Sequence, residues 1–140
     1  MWILNLLFYY LVKSDPVMFI IEEPESHLFP ESQKYITELI SLISGSNHVV
    51  VVTTHSPYVL GTLNNLLYAA NISKSKADDI DKIIPRELWI EYDLFKAWFV
   101  DKGYVVDCMD DEIFAIQNER IDEISRHIND DYDKLFDLNE

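Results

Sequence analysis

Two apolar runs in this chain each end in groups that can do acid–base or phosphate chemistry. Val17-Met18-Phe19-Ile20-Ile21 leads into Glu22-Glu23-Pro24-Glu25, and Val49-Val50-Val51-Val52-Thr53-Thr54 leads into His55-Ser56-Pro57. Both read as buried strands, and open α/β sheets bind ligands outside the C-terminal ends of such strands. One carboxylate at a strand tip can hold magnesium, usually through water, because that ion keeps most of its hydration. A carboxylate beside it can orient an attacking water or accept its proton. A histidine on the neighbouring tip can hydrogen-bond a terminal phosphate. Each feature has a plainer reading: two solvated glutamates before a turn, and a histidine in a capping turn. Their joint occurrence points to the back half of a nucleotide-hydrolysing site.

The alternatives use the same residues. Glu22, Glu23 and Glu25 with His27 or His55 could form a small metal-dependent nuclease centre. His48 and His127 read as incidental. The front half of a nucleotide site has no counterpart in the 140 residues: no G-x-x-x-x-G-K-[ST] run occurs, and the chain has only three glycines. Nor is there a nucleophile elbow or a Cys and His pair.

The elements that must position these groups follow from spacing. Residues 2–13 are apolar almost all round and read as a helix sandwiched in a larger body. Ser14-Asp15-Pro16 reads as a turn. Residues 17–22 are continuously apolar, which predicts a strand buried on both faces. Pro30 and Glu31 open a helix whose apolar face is Tyr35, Ile36, Leu39, Ile40 and Ile43, with Gly45 as its stop. Residues 48–53 are the second strand. Ser56 and Pro57 start a helix through Leu60, Leu63 and Leu67. Strand, helix, strand, helix with apolar strands predicts an α/β fold with a parallel sheet. Asn71 to Asp81 reads as a loop, Leu88 to Tyr92 and Phe95 to Val100 as strands, and Lys102-Gly103 as a turn returning through Tyr104 to Met109. A last helix places Ile121, Ile124, Ile128 and Leu135 on one face.

Composition sets limits. Lys and Arg number 11 against 25 Asp and Glu, a net charge of −14, and 19 of the acids lie from Asp78 onward. Direct nucleic-acid binding is disfavoured, because phosphate contacts need clustered cations. The single Cys108 rules out an internal disulfide and a cysteine-based zinc site, and fits a reducing, cytoplasmic setting. The apolar segment Trp2 to Val12 is too short to span a bilayer, so no membrane association is expected.

The run Ile20-Ile21-Glu22-Glu23-Pro24-Glu25-Ser26-His27-Leu28-Phe29-Pro30, followed by Thr53-Thr54-His55-Ser56-Pro57-Tyr58-Val59-Leu60 and Leu63-Asn64-Asn65-Leu66, closely resembles the ABC-type ATPases of the OLD and RecF-like group. These are often labelled AAA-type ATP-binding proteins. The resemblance is dense over residues 17–68 and weaker to the C-terminus. It implies the parallel-sheet half of a P-loop NTPase lobe over residues 1–70, extended by a hairpin and helix over residues 71–140. It implies ATP and Mg as cofactors and a Walker B strand over Ile20 to Glu23, with Glu22 associated with the metal and Glu23 catalytic. Glu25 through Pro30 would be the D-loop, which crosses the dimer interface in this family. His55 would be the switch histidine on the γ-phosphate. Glu25, His27 and Ser56 would lie toward the nucleotide. Phe29 stands where a second histidine is common.

In this family the P-loop and signature motif precede such a helix as Trp2 to Lys13. The chain is therefore expected to be the C-terminal portion of an ATPase. Its partner would be a P-loop-bearing half or a full-length protomer, in a dimer of ATPase lobes, with nucleic acid or a nuclease involved only indirectly. A sheet without its P-loop strand keeps an open edge, so the isolated chain is expected to associate. The other reading is a non-catalytic interaction module that keeps the architecture.

Overall fold

The computed structural model describes residues 15–45 and 48–117, together with Asp130 and Lys134. The expected helix over residues 2–13 lies outside these residues, as does the one around Ile121 to Leu135 apart from Asp130 and Lys134. Within them the protein is a mixed α/β structure with one parallel strand pair and two antiparallel pairs.

Strand β1 (Met18–Glu22) and strand β2 (Val49–Thr53) pair in parallel, from Met18 opposite Val49 to Glu22 opposite Thr53. Helix α1 (Pro30–Ser44) makes the crossover between them. Pro30 stands at its first positions, where a fixed φ is already helical, and Glu31 lies in the first turn, where the helix dipole favours an acid. Ile43 is fully buried and packs with Phe19 of β1, flanked by Val17, Ile21, Leu39 and Val50. Tyr35 was expected on this face, yet it is 57 % exposed. It precedes Ile40 by five residues, which is about 140° around the helix.

The entrances of the two strands are tied by a residue that sequence reading passed over. His48 is buried, and its Nδ1 accepts the Val17 N–H at 3.1 Å. Its ring stands edge-on to Phe19 with centroids 5.6 Å apart.

Burial of both sheet faces, expected from the apolar runs, is not what the structure has. Phe19 and Ile21 face α1, but Met18 and Ile20 are 62 % and 70 % exposed, and their partners Val49 and Val51 are exposed too. Only α1 covers the two-stranded sheet among the described residues, so alternate side chains point outward.

Helix α2 (Pro57–Asp81) runs through the stretch expected to be a loop. Ala69, Ala70 and Ile80 are buried at helical spacing. The Ser73 hydroxyl finds a local acceptor in the Ala70 carbonyl, at 2.7 Å. The polar Ser-Lys tract shows instead as a kink at Lys76 (φ −142°, ψ 30°).

The strand expected over Leu88 to Tyr92 is replaced by two short 3-10 turns, Arg86–Leu88 and Tyr92–Leu94. Helices supply the backbone partners a strand would have offered. Ser41 Oγ donates to the Leu88 carbonyl at 2.7 Å, and the Ile90 N–H donates to the Leu66 carbonyl at 3.4 Å. The hairpin forms as expected, from β3 (Trp98–Asp101) and β4 (Tyr104–Asp107). Lys102 and Gly103 both have positive φ (49° and 83°), which matches the right-handed twist of the flanking strands. The short pair β5 (Met109–Asp110) and β6 (Ala115–Ile116) returns the chain to α2. There the Asn64 side chain binds both backbone groups of Ile116, accepting its N–H at 2.7 Å and donating to its carbonyl at 3.1 Å. No helix among the described residues is long and apolar enough to cross a membrane.

Tyr92 donates its hydroxyl to Asp111 at 2.8 Å. Its pKa is pushed up to about 12, first by burial, then by the Asp111 hydrogen bond and the charges of Asp111, Asp110 and Asp107. The folded state thus holds this proton more tightly than the unfolded one. The stability contribution is complete below about pH 10 and lost as pH rises toward about 12. Tyr92→Phe is expected to flatten that alkaline loss in denaturation curves collected across the range. For the core, Ile43→Ala is expected to lower unfolding free energy by about 2–5 kcal/mol. Ile20→Thr, on the open face, is expected to change it by less than about 0.5 kcal/mol. Urea denaturation of the two variants checks the contrast.

Candidate functional site

The parallel register brings the two strand tips side by side. Beyond Glu22, the Glu23 N–H still reaches the Thr53 carbonyl at 2.8 Å, so the ladder extends one residue past the strand. Glu23 then adopts a left-handed conformation (φ 43°), and His27 does the same (φ 65°). Two such non-glycine residues within five positions cost free energy that the surroundings must offset. Between them the chain makes consecutive turns. The Ser26 N–H donates to the Glu23 carbonyl and the Leu28 N–H to the Glu25 carbonyl, both at 2.9 Å.

The three carboxylates have different environments. Glu22 is exposed at the tip of β1. Glu23 is exposed as well; its Oε2 accepts from Ser26 Oγ at 3.0 Å and its Oε1 lies 3.5 Å from His55 Nδ1. Glu25 is only 4 % exposed and turns inward to the tip of β2. Its Oε1 accepts from Thr54 Oγ1 at 2.5 Å and from the His55 N–H at 3.2 Å, and lies 3.9 Å from His55 Nδ1. Its Oε2 is buried with no hydrogen-bond partner among the described residues.

The His55 ring is exposed and paired with Glu23, while its backbone is held by Glu25. The structure thus places Glu23 and His55 side by side at the two strand tips. His27 is exposed on the turn and makes no ion pair among the described residues.

Ser56 is buried, and its hydroxyl is committed. Oγ accepts from the Tyr58 and Val59 N–H groups as the N-cap of α2, and donates to Gln33 Oε1 at 2.5 Å. With its donor and both acceptor sites used, it has no capacity left for a nucleotide. Ser56 is thus the N-cap of α2, as the Ser56-Pro57 start predicts. Gln33 in turn donates to the Leu28 carbonyl at 2.9 Å, so one amide joins α1, the 23–29 turn and the cap of α2. Gln33 and Thr54 were missed by sequence reading. Thr54 carried a faint signal, as a hydroxyl directly before the histidine. Gln33 carried none beyond its place in a first turn.

Exposed carboxylate oxygens at the tip suit a hydrated magnesium ion held by one or two protein ligands and substrate phosphate. They do not suit an all-protein cage. Among the described residues no group of three or more His, Cys, Asp or Glu is placed to hold a metal. Ser56→Ala is expected to cost about 1–2 kcal/mol of unfolding free energy through loss of the cap. Ser56→Thr, which keeps both the capping acceptor and the donor to Gln33, is expected to recover most of it, as read by urea denaturation.

Residues 1–60 match the family model described as AAA ATPase domain. The match contains both strand tips, α1 and the start of α2. No curated protein and no solved structure matches the chain. Over these 60 of its 140 residues the chain is similar to AAA-type ATPase domains, which supports an ATPase-related function with nucleotide binding.

Proposed function

We propose that this chain contributes the Walker B strand, D-loop and switch histidine to an ABC-type ATPase of the OLD and RecF-like group. The observation that carries this reading is the exposed Glu23–His55 pair, held 3.5 Å apart at the C-terminal ends of two parallel strands. The match of residues 1–60 to the AAA ATPase domain model supports it.

Roles follow from environment. Glu23 is solvent-facing, so its carboxylate can orient water and accept a proton from it. Ser26 donates to one carboxylate oxygen and the His55 ring faces the other. The His55 ring stands at the open edge, where it can hydrogen-bond a terminal phosphate. Glu22 would hold magnesium through water, and the ion would supply charge neutralisation at the phosphates. The phosphate cradle would come from a P-loop-bearing half or protomer in a dimer of lobes, because no P-loop sequence occurs among these 140 residues. A metal-dependent nuclease centre is less well served by this geometry. Glu25, which it would need, is buried against Thr54 rather than exposed beside Glu22 and Glu23.

The test is to read the coding DNA upstream of Met1, produce any P-loop-bearing polypeptide found there together with this chain, and measure phosphate release from magnesium ATP. Hydrolysis that falls by about 10²-fold or more with Glu23→Gln is the expected result. Absence of a P-loop from the locus, or hydrolysis indifferent to Glu23→Gln, would overturn the proposal.

A further inference from the structure

We infer that Glu25 is a positioning residue whose buried carboxylate fixes the His55 ring against Glu23, joining the two halves of the tip into one unit. The inference rests on the proposed ATPase reading only for what the ring then touches; the clamp itself stands on geometry.

Glu25 and His55 are thirty residues apart in sequence, and a single oxygen of Glu25 receives both the Thr54 hydroxyl and the His55 N–H. The other oxygen is buried and unmatched. Burying a carboxylate this way is costly unless its bonds are strong, and hydrogen bonds to a charged acceptor are among the stronger ones. Two left-handed residues, Glu23 and His27, flank Glu25 and turn it inward. Strain and a buried carboxylate thus coincide at one point, and what they hold is the backbone of His55. Thr54 extends the clamp, because its Oγ1 also accepts the Ser56 N–H at 3.1 Å. Without it the His55 ring, 76 % exposed, is restrained only by an exposed pairing with Glu23. Exposed pairings of this kind hold a side chain weakly.

The test uses the full chain, labelled for nuclear magnetic resonance, with hydrogen exchange of the His55 amide and the His55 ring signals as readouts. Glu25→Ala is expected to speed that exchange about tenfold or more, in line with loss of a hydrogen bond to a charged acceptor. It should also move the His55 ring signals, while the Ile40 and Ile43 amides in α1 keep their protection. Glu25→Gln, which keeps an acceptor, is expected to restore both readouts toward wild type. Thr54→Val, expected to preserve the fold, should move the ring signals in the same direction and serves if Glu25→Ala unfolds. Ring signals unchanged in Glu25→Ala, or in Thr54→Val where that serves, would overturn the inference and leave Glu25 a structural residue. Magnesium ATP added to wild type together with the P-loop-bearing polypeptide gives a separate reading. A His55 ring that ignores ATP counts against the nucleotide site, while the variant comparison still decides the clamp.

Discussion

The register of one parallel strand pair governs everything at the tip. With Glu22 opposite Thr53, the next residues on each strand, Glu23 and Thr54, leave the sheet at the same level. A shift of one residue would send each side chain to the other face of the sheet and separate Glu23 from His55. That register is held at the other end by His48, which binds the Val17 backbone, and in the middle by Phe19 packed on Ile43. An apolar contact and a buried imidazole at the base thus determine which polar groups meet at the top.

Above the register lies a polar network with little slack. Glu25, Thr54, Ser56 and Gln33 link the β1 turn, the β2 tip and the first turns of both helices. Each member satisfies a backbone group that the ends of strands and helices leave without a partner. The exposed pair, Glu23 and His55, stands on this base. Outward groups that can meet a ligand are thereby separated from inward groups that hold shape. Glu25 and Ser56 belong to the inward set.

Much of the parallel unit was legible in the sequence because its signals are local. Apolar runs with β-branched residues, Pro30 with Glu31, and Ser56 with Pro57 mark strand and helix limits to within a residue or two. The site was legible as a pair of strand tips. The direction in which each glutamate points was not, because it depends on the left-handed turn at Glu23, and nothing in Glu-Glu-Pro-Glu announces that conformation. The Asn71 to Asp81 stretch was misread because its polar residues suggest a loop, whereas buried Ala70 and Ile80 continue the helix. Leu88 to Tyr92 has strand composition, but Ser41 and Leu66 capture its backbone groups first. Tertiary partners outweighed propensity in both places.

The hydrogen bond from Val17 to His48 spans 31 residues, and those from Glu25 to Thr54 and His55 span 29 and 30, so the base and the tip close loops of nearly equal length. Docking β2 beside β1 closes both at one entropic cost. Until then Glu25 has neither Thr54 nor His55 to accept from, and its carboxylate remains in water. Burial of the Glu25 carboxylate is therefore coupled to the pairing of the two strands. A substitution that slows docking would prolong the interval in which the apolar residues of β1 and β2 lie open to other chains.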